Sequence, residues 1–176
     1  MKARHYILVA VALLALHTHA MAGDLSAGIF NSPRGFGISL DYYATEDIYN
    51  TYIVYADMYG IYSGTYRNSG VKFIYLHYNR LGGIDTDYAA YGLFLGPGAS
   101  TGYVRDFDSE KFGFTLTADI ALALRAQFPK NFDLELAMMV EMGFIARDFE
   151  GKTQLDIYGN GLRQVFLPTL KIMYRF

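Results

Sequence analysis

The feature that most constrains this chain is a strict two-residue alternation carried through two long neighbouring runs. In the first, Phe114, Leu116, Ala118, Ile120, Leu122, Leu124 and Phe128 share one parity, against Gly113, Thr115, Thr117, Asp119, Ala121, Ala123 and Arg125. In the second, Phe132, Leu134, Leu136, Met138, Val140, Met142 and Phe144 oppose Asp133, Glu135, Ala137, Met139, Glu141 and Gly143. A strand turns alternate side chains to opposite faces, so each run reads as one strand with an apolar face and a small or charged face. From Phe114 to Leu124 is ~33 Å of strand, or ~25 Å of height once tilted, the thickness of the apolar band of a membrane-spanning barrel. The last segment repeats the pattern, with Phe176, Tyr174, Ile172 and Leu170 backing onto Arg175, Met173, Lys171 and Thr169.

Such a stripe is buried in a soluble protein and faces lipid in a transmembrane barrel, whose interior is polar. Two traits favour lipid. Phenylalanine stands at both ends of each stripe, where a membrane barrel carries aromatic girdles. The opposite face is Gly, Ala, Thr and a few charges, too small and sparse for a wet exterior but suited to a narrow lumen. The competing expectation is a periplasmic lipocalin-like carrier, with the same stripes turned inward.

The first residues read as a Sec-type export signal. Lys2 and Arg4 precede an apolar stretch from Ile7 to Leu16, and Ala20-Met21-Ala22 is a small-x-small cleavage site. Cleavage near Ala22 would leave residues 23–176 as a single barrel domain. No later run approaches the ~20 apolar residues of a spanning helix, although the chain is 52% hydrophobic with 16 Tyr and 13 Phe. Beyond the signal, 13 Lys and Arg (15 − 2) stand against 17 Asp and Glu, a balance of −4. That sign, with no basic stripe, argues against a nucleic-acid partner. The absence of cysteine excludes a disulfide framework, a thiolate metal site and lipid attachment through cysteine. No cofactor or metal is expected.

Turn residues divide the chain into eight expected strands: 24–30, 35–45, 49–62, 67–79, 87–105, 111–127, 131–147 and 164–176. The fold expected is all-β, a closed antiparallel eight-stranded transmembrane barrel of up-and-down topology. The signal, the strand lengths and the aromatic last strand resemble the small outer-membrane barrels typified by OmpX and the OmpA barrel domain. The ending Tyr174-Arg175-Phe176 is similar to the signal that barrel-assembly machinery reads in that group. The resemblance implies bacterial outer-membrane location, outer-membrane lipids as surroundings, and both termini in the periplasm. Thr45 to Asn50, Arg80 to Thr86 and Phe128 to Asn131 would then be inner turns. Asn31 to Gly35, Gly64 to Gly70, Asp106 to Lys111 and Asp148 to Arg163 would be outer loops. The last is the longest, and its Lys152, Asp156, Tyr158 and Arg163 are candidate recognition residues.

Eight strands enclose a lumen that side chains fill, so inward charges must pair. A turn that pairs Phe128 with Phe132 sets Arg125 opposite Glu135 and Asp119 opposite Glu141. The first is an ion pair. The second needs a cation or a shared proton, and is read either as an acid/base or cation site or as part of a structural network completed by Lys171, Arg175 or Arg105. Beyond the signal, His77 is the one histidine, so any hydroxyl nucleophile with a histidine base would depend on it. The deacylase spacing His-x-Ser is absent, since Asn79 stands there. Pro97, among Gly92, Gly96, Gly98 and Gly102, predicts a bulge or a break in pairing at Leu95 to Ala99. The leading expectation is a barrel acting structurally or through its outer loops, in envelope integrity or surface interaction. The alternative is a lipid A acyl hydrolase or transferase type of enzyme using His77, Asp119 or Glu141.

Overall fold

The computed structural model describes residues 24–58, 61, 64, 68–107 and 111–176. The expected signal, with its cleavage site, lies outside the described residues. Nine strands follow in order: β1 Leu25–Ser32, β2 Gly35–Tyr43, β3 Ile48–Asp57, β4 Gly70–Asp85, β5 Ala90–Arg105, β6 Phe112–Phe128, β7 Phe132–Phe149, β8 Lys152–Ile157 and β9 Thr169–Arg175. A short helix α1, Gly159–Arg163, and a 3-10 turn, Gln164–Phe166, lie between β8 and β9. Each strand from β1 to β7 pairs antiparallel with the next; β7 pairs with β9 and β9 with β1, so eight strands close a ring. β8 lies outside it, folded back on the upper part of β7 from Phe144 to Phe149.

The faces follow the alternation. Leu116 is 64% exposed, as is Leu124 at 52%, while Arg125 and Glu141 on the opposite parity are wholly buried. Ile29, Ile38, Val71, Phe114, Leu122, Leu136, Met142 and Ile172 are likewise exposed. A closed sheet with an apolar exterior and charges inside is a membrane-spanning barrel, because only lipid solvates that exterior at no cost. The lipocalin-like arrangement, with these stripes inside, is overturned by this orientation.

Several strand ends differ from the sequence-based expectation. β4 continues to Asp85, through the inner turn expected at Arg80 to Thr86, and the reversal falls after it, where Thr86 N–H donates to the Ala89 carbonyl at 3.0 Å. Gly82-Gly83 reads as a turn signal but follows a bulge that shifts register between Arg80 and Gly82. Of the bulge or break in pairing expected at Leu95 to Ala99, no bulge forms, since β5 keeps one register with β6 throughout, but the pairing with β4 does break there. Only the β4 side skips His77 and Tyr78 against Gly96 and Pro97, where proline has no N–H to donate. Gly96 serves another purpose: a Cβ there would lie 2.6 Å from the Tyr78 ring, so the glycine admits that ring into the lumen. The expected outer loop from Asp148 to Arg163 is mostly ordered structure. β7 and β8 turn tightly through Glu150 and Gly151, both at positive φ (54° and 78°), which suits the twist of a hairpin. The last strand starts at Thr169, five residues later than expected, because Gln164–Phe166 is a 3-10 turn and Pro168 follows.

Candidate functional site

The lumen holds two charged layers with an apolar layer between them. Here "lower" is the end carrying the two termini of the barrel, and "upper" the end carrying the β7–β8 hairpin. The period of two sets the stacking: on β6 the inward residues are Asp119, Ala121, Ala123 and Arg125, and on β7 they are Glu135, Ala137, Met139 and Glu141. Ile53, Ile74 and Leu76 complete the apolar layer from β3 and β4.

The lower layer is centred on Arg125. Its guanidinium donates to Asp41 at 2.9 Å, to Asp133 at 3.1 Å and to Glu135 at 3.4 Å. The Lys171 ammonium reaches Glu135 at 2.9 Å and Asp41 at 3.3 Å, and Arg175 reaches Asp133 at 3.2 Å. Tyrosines close the remaining acceptors: Tyr43 donates to Asp133 and Tyr49 to Glu135, each at 2.9 Å. The Tyr43 and Tyr49 rings also lie 4.9 and 4.5 Å from the guanidinium carbon, within cation–π range. Three cations thus face three carboxylates, the arrangement a buried charge cluster requires.

The upper layer is looser. Lys72 pairs with Glu141, and Arg34, in the β1–β2 turn, pairs with Asp57. Asp119 stands opposite Glu141 in the ladder, as the turn register predicts, and accepts a hydrogen bond from Thr117 at 2.7 Å. Thr117 is in turn 2.5 Å from Ser100. Tyr158 covers this layer from above, with the Lys72 ammonium 4.6 Å from its ring centroid. In the connection after β8, outside the spanning strands, burial pushes the Tyr158 phenol above its ordinary range. The covering segment is held by Asp106, whose carboxylate accepts from Gly159 N–H at 2.8 Å and Asn160 N–H at 2.7 Å and faces Arg147 at 3.4 Å. Arg163 lies 3.5 Å above the Phe107 ring.

Arg125 opposite Glu135 and Asp119 opposite Glu141 fall where the sequence puts them. Lys171 and Arg175 join the lower layer and not the Asp119–Glu141 pair; the cation that meets Glu141 is Lys72. The sequence signal for it was available: Lys72 is the lone cation within the apolar run Val71 to Leu76. Asp41 and Lys72 were missed because Arg125 and Glu141, which they meet, lie across the lumen and not on a neighbouring strand; Asp133 was missed although its cations, Arg125 and Arg175, stand on the adjoining β6 and β9. Tyr158, expected on an outer loop, is fully buried in the upper lumen, while Lys152 and Arg163 are exposed and Asp156 pairs with Arg147 at 3.2 Å. Tyr174 is exposed on the lower rim and packs against Phe176 at 5.4 Å.

His77 has the opposite orientation from Asp119 and Glu141. It sits on the outer wall, where its Nδ1 is 2.8 Å from Asn50 Oδ1, which also accepts from the Tyr75 hydroxyl at 2.9 Å. The candidate catalytic residues are therefore divided between lumen and lipid face and form no single centre. Among the described residues, no group of three or more histidines and carboxylates is placed to hold a metal.

The class of molecule that this geometry defines is a membrane-spanning barrel with a filled polar lumen, and similarity to solved structures gives the particular fold. No family model and no curated protein matches the chain. The N-terminal β-barrel domain of Pseudomonas aeruginosa OprF is similar in structure, with a TM-score of 0.53 and 12% identity over 89% of this chain and 98% of that one. That likeness shows the fold: an outer-membrane-type β-barrel. A major outer membrane protein from Thermus thermophilus matches at a TM-score of 0.47 and 13% identity, over 88% of this chain and 100% of that one. Yersinia pestis Ail, in a phospholipid bilayer nanodisc, matches at 0.42 and 13%, over 88% and 99%.

Proposed function

We propose that this chain is an integral outer-membrane protein that acts as a closed structural barrel, with its upper hairpin as the contact surface for the cell exterior. The observation that carries this reading is the filled lumen: paired charges below, an apolar layer, and a second charged layer covered by Tyr158. Among the described residues this stack fills the lumen with side chains, and eight-stranded barrels are narrow enough for side chains to close them. Export through an N-terminal signal, lower termini in the periplasm, and insertion through Tyr174 and Phe176 by barrel-assembly machinery belong to the same reading. The β7–β8 hairpin, with exposed Lys152, Leu155 and Ile157, offers the surface that a partner would meet.

Two measurements test it together. Reconstituted into planar bilayers, the barrel is expected to give no stepwise conductance. Outer-membrane lipids from cells with and without the protein, compared by mass spectrometry, are expected to carry the same acyl chains. Stepwise conductance would replace the closed-barrel reading with a channel. An acyl chain gained or lost only with the intact protein, and not with His77→Ala, would replace it with a lipid-modifying enzyme.

A further inference from the structure

The outward side chains of β6 and β7 are all apolar from Phe114 to Phe128 and from Phe132 to Phe144. The wall made by β3 and β4 departs from this. Its outward partners are Val54 with Phe73, Tyr52 with Tyr75, and Asn50 with His77. Tyr75 pairs onward with Ala99, and Ala99 with Ala118; two rungs lower, Asn79 pairs with Leu95, and Leu95 with Leu122. Asn50 and His77 thus lie between rungs that end inside the apolar stripe of β6, on the membrane-spanning part of the wall. Polar side chains facing hydrocarbon are costly unless their hydrogen bonds are made.

Half of the bonds at this cluster are made within the chain. The Tyr75 hydroxyl donates to Asn50 Oδ1 at 2.9 Å, and His77 Nδ1 lies 2.8 Å from the same oxygen. An amide oxygen only accepts, so Nδ1 carries the proton, and Nε2 of the neutral ring is left as an acceptor. Two donors on the amide oxygen fix which way the amide faces and leave the Asn50 Nδ2 hydrogens pointing elsewhere. Among the described residues, neither Nδ2 of Asn50 nor Nε2 of His77 has a hydrogen-bond partner.

One unspent donor and one unspent acceptor therefore stand side by side on adjacent strands. A second copy, turned by a twofold axis along the membrane normal, presents the same two groups in reversed order, acceptor opposite donor. That axis keeps both barrels in the same orientation in the bilayer and every residue at its own depth. We propose that this wall is a contact between two copies of the chain, in which each Asn50 amide donates to Nε2 of the partner's His77. Tyr52 and Tyr75, with ring centroids 5.3 Å apart, and the exposed Val54 and Phe73 pack above the two bonds and keep lipid from them. Tyr75 is a positioning residue, holding the amide with its N–H groups outward. A phospholipid satisfies the cluster less well, because the ester oxygens at this depth only accept and offer His77 Nε2 no donor. The inference goes beyond the structural role and rests on the barrel lying in a bilayer.

The test is energy transfer between donor- and acceptor-labelled full barrels in phosphatidylcholine vesicles, followed as the lipid-to-protein ratio rises. The chain has no cysteine, so Thr153→Cys on the upper hairpin gives one dye site. Transfer above that of randomly placed barrels, lost on dilution as a two-body equilibrium, is expected. Asn50→Leu and His77→Phe each weaken association roughly tenfold, the size of two membrane hydrogen bonds, because either change removes both bonds of the symmetric pair. The double substitution is no weaker than either alone. Asn50→Leu barrels mixed with His77→Phe barrels keep one donor facing one acceptor, and associate more tightly than either does with itself. Random transfer by the native barrel, or a mixture no tighter than the single variants, overturns the proposal. So does a native monomer that holds a phospholipid through detergent extraction and loses it with Asn50→Leu, which gives the cluster to lipid. Heat-dependent migration on detergent gels reports the folded barrel in each sample. A native chain without that behaviour fails the barrel reading itself, whereas a folded barrel that stays monomeric removes only the contact.

Discussion

The two charged layers of the lumen use the same residue types and are closed in different ways. In the lower layer every carboxylate meets at least two cations: Asp41 and Glu135 meet Arg125 and Lys171, and Asp133 meets Arg125 and Arg175. In the upper layer Glu141 has Lys72 and Asp57 has Arg34, while Asp119 is met by the Thr117 hydroxyl. The difference teaches where the barrel is rigid. A shared cation ties three strands at once, so Arg125 on β6 holds β2 and β7 together across the lumen. The upper pairs each join two elements, and the layer is finished by a returning segment through Tyr158 and Asp106 instead of by the wall.

The largest effect separates the layers most sharply. Arg125→Met leaves three buried carboxylates short of their common cation and is expected to lower stability by about 3–5 kcal/mol, read from urea unfolding midpoints in lipid vesicles. A loss below that of any upper-layer change would break the comparison. Next, Lys72→Met strands one carboxylate and is expected to cost about 3 kcal/mol by the same measurement. Lys72→Met combined with Glu141→Met should return most of that loss, because an isolated pair can be exchanged for apolar residues of similar volume. Asp106→Ala removes the acceptor at two backbone N–H groups at the start of α1 and is expected to cost about 1–2 kcal/mol. Its clearer sign is local, a faster amide exchange confined to residues 158–166. The smallest effect is expected from Asp119→Asn, within about 1 kcal/mol of the native barrel, since the Thr117 hydrogen bond has an acceptor in either side chain. A cost equal to that of Arg125→Met would show that Asp119 holds a charge network that the upper layer does not otherwise reveal.

What was legible in the sequence came from neighbours in the ladder. Phe128 and Phe132 flank a short turn, which fixes the β6–β7 register, and from that register Arg125–Glu135 and Asp119–Glu141 follow by counting. The turns were harder. Gly82-Gly83 has the composition of a reversal, yet it extends a strand past a bulge, and the reversal is made by Thr86, whose hydroxyl accepts from Ala89 N–H at 3.1 Å. Tyr158 was misplaced for a related reason. Gly159, Asn160 and Gly161 mark a break in the strand pattern but do not say whether the chain then turns outward to water or inward over the lumen. Asp106, fifty-three residues earlier, decides it by accepting the first N–H groups of α1.

The sequence by itself determined the wall: its period of two sets which side chains face lipid and which face the lumen, because a strand turns successive residues to opposite faces. Pairing between adjacent strands came with it wherever a short turn fixed the register. Only the tertiary structure decided which charges meet across the lumen. Asp41 and Arg125 are 84 residues apart, and Lys72 and Glu141 are 69 apart. Their heights depend on how far each strand slides along the next before the ring closes, and that slide is a property of the whole barrel that no single strand encodes.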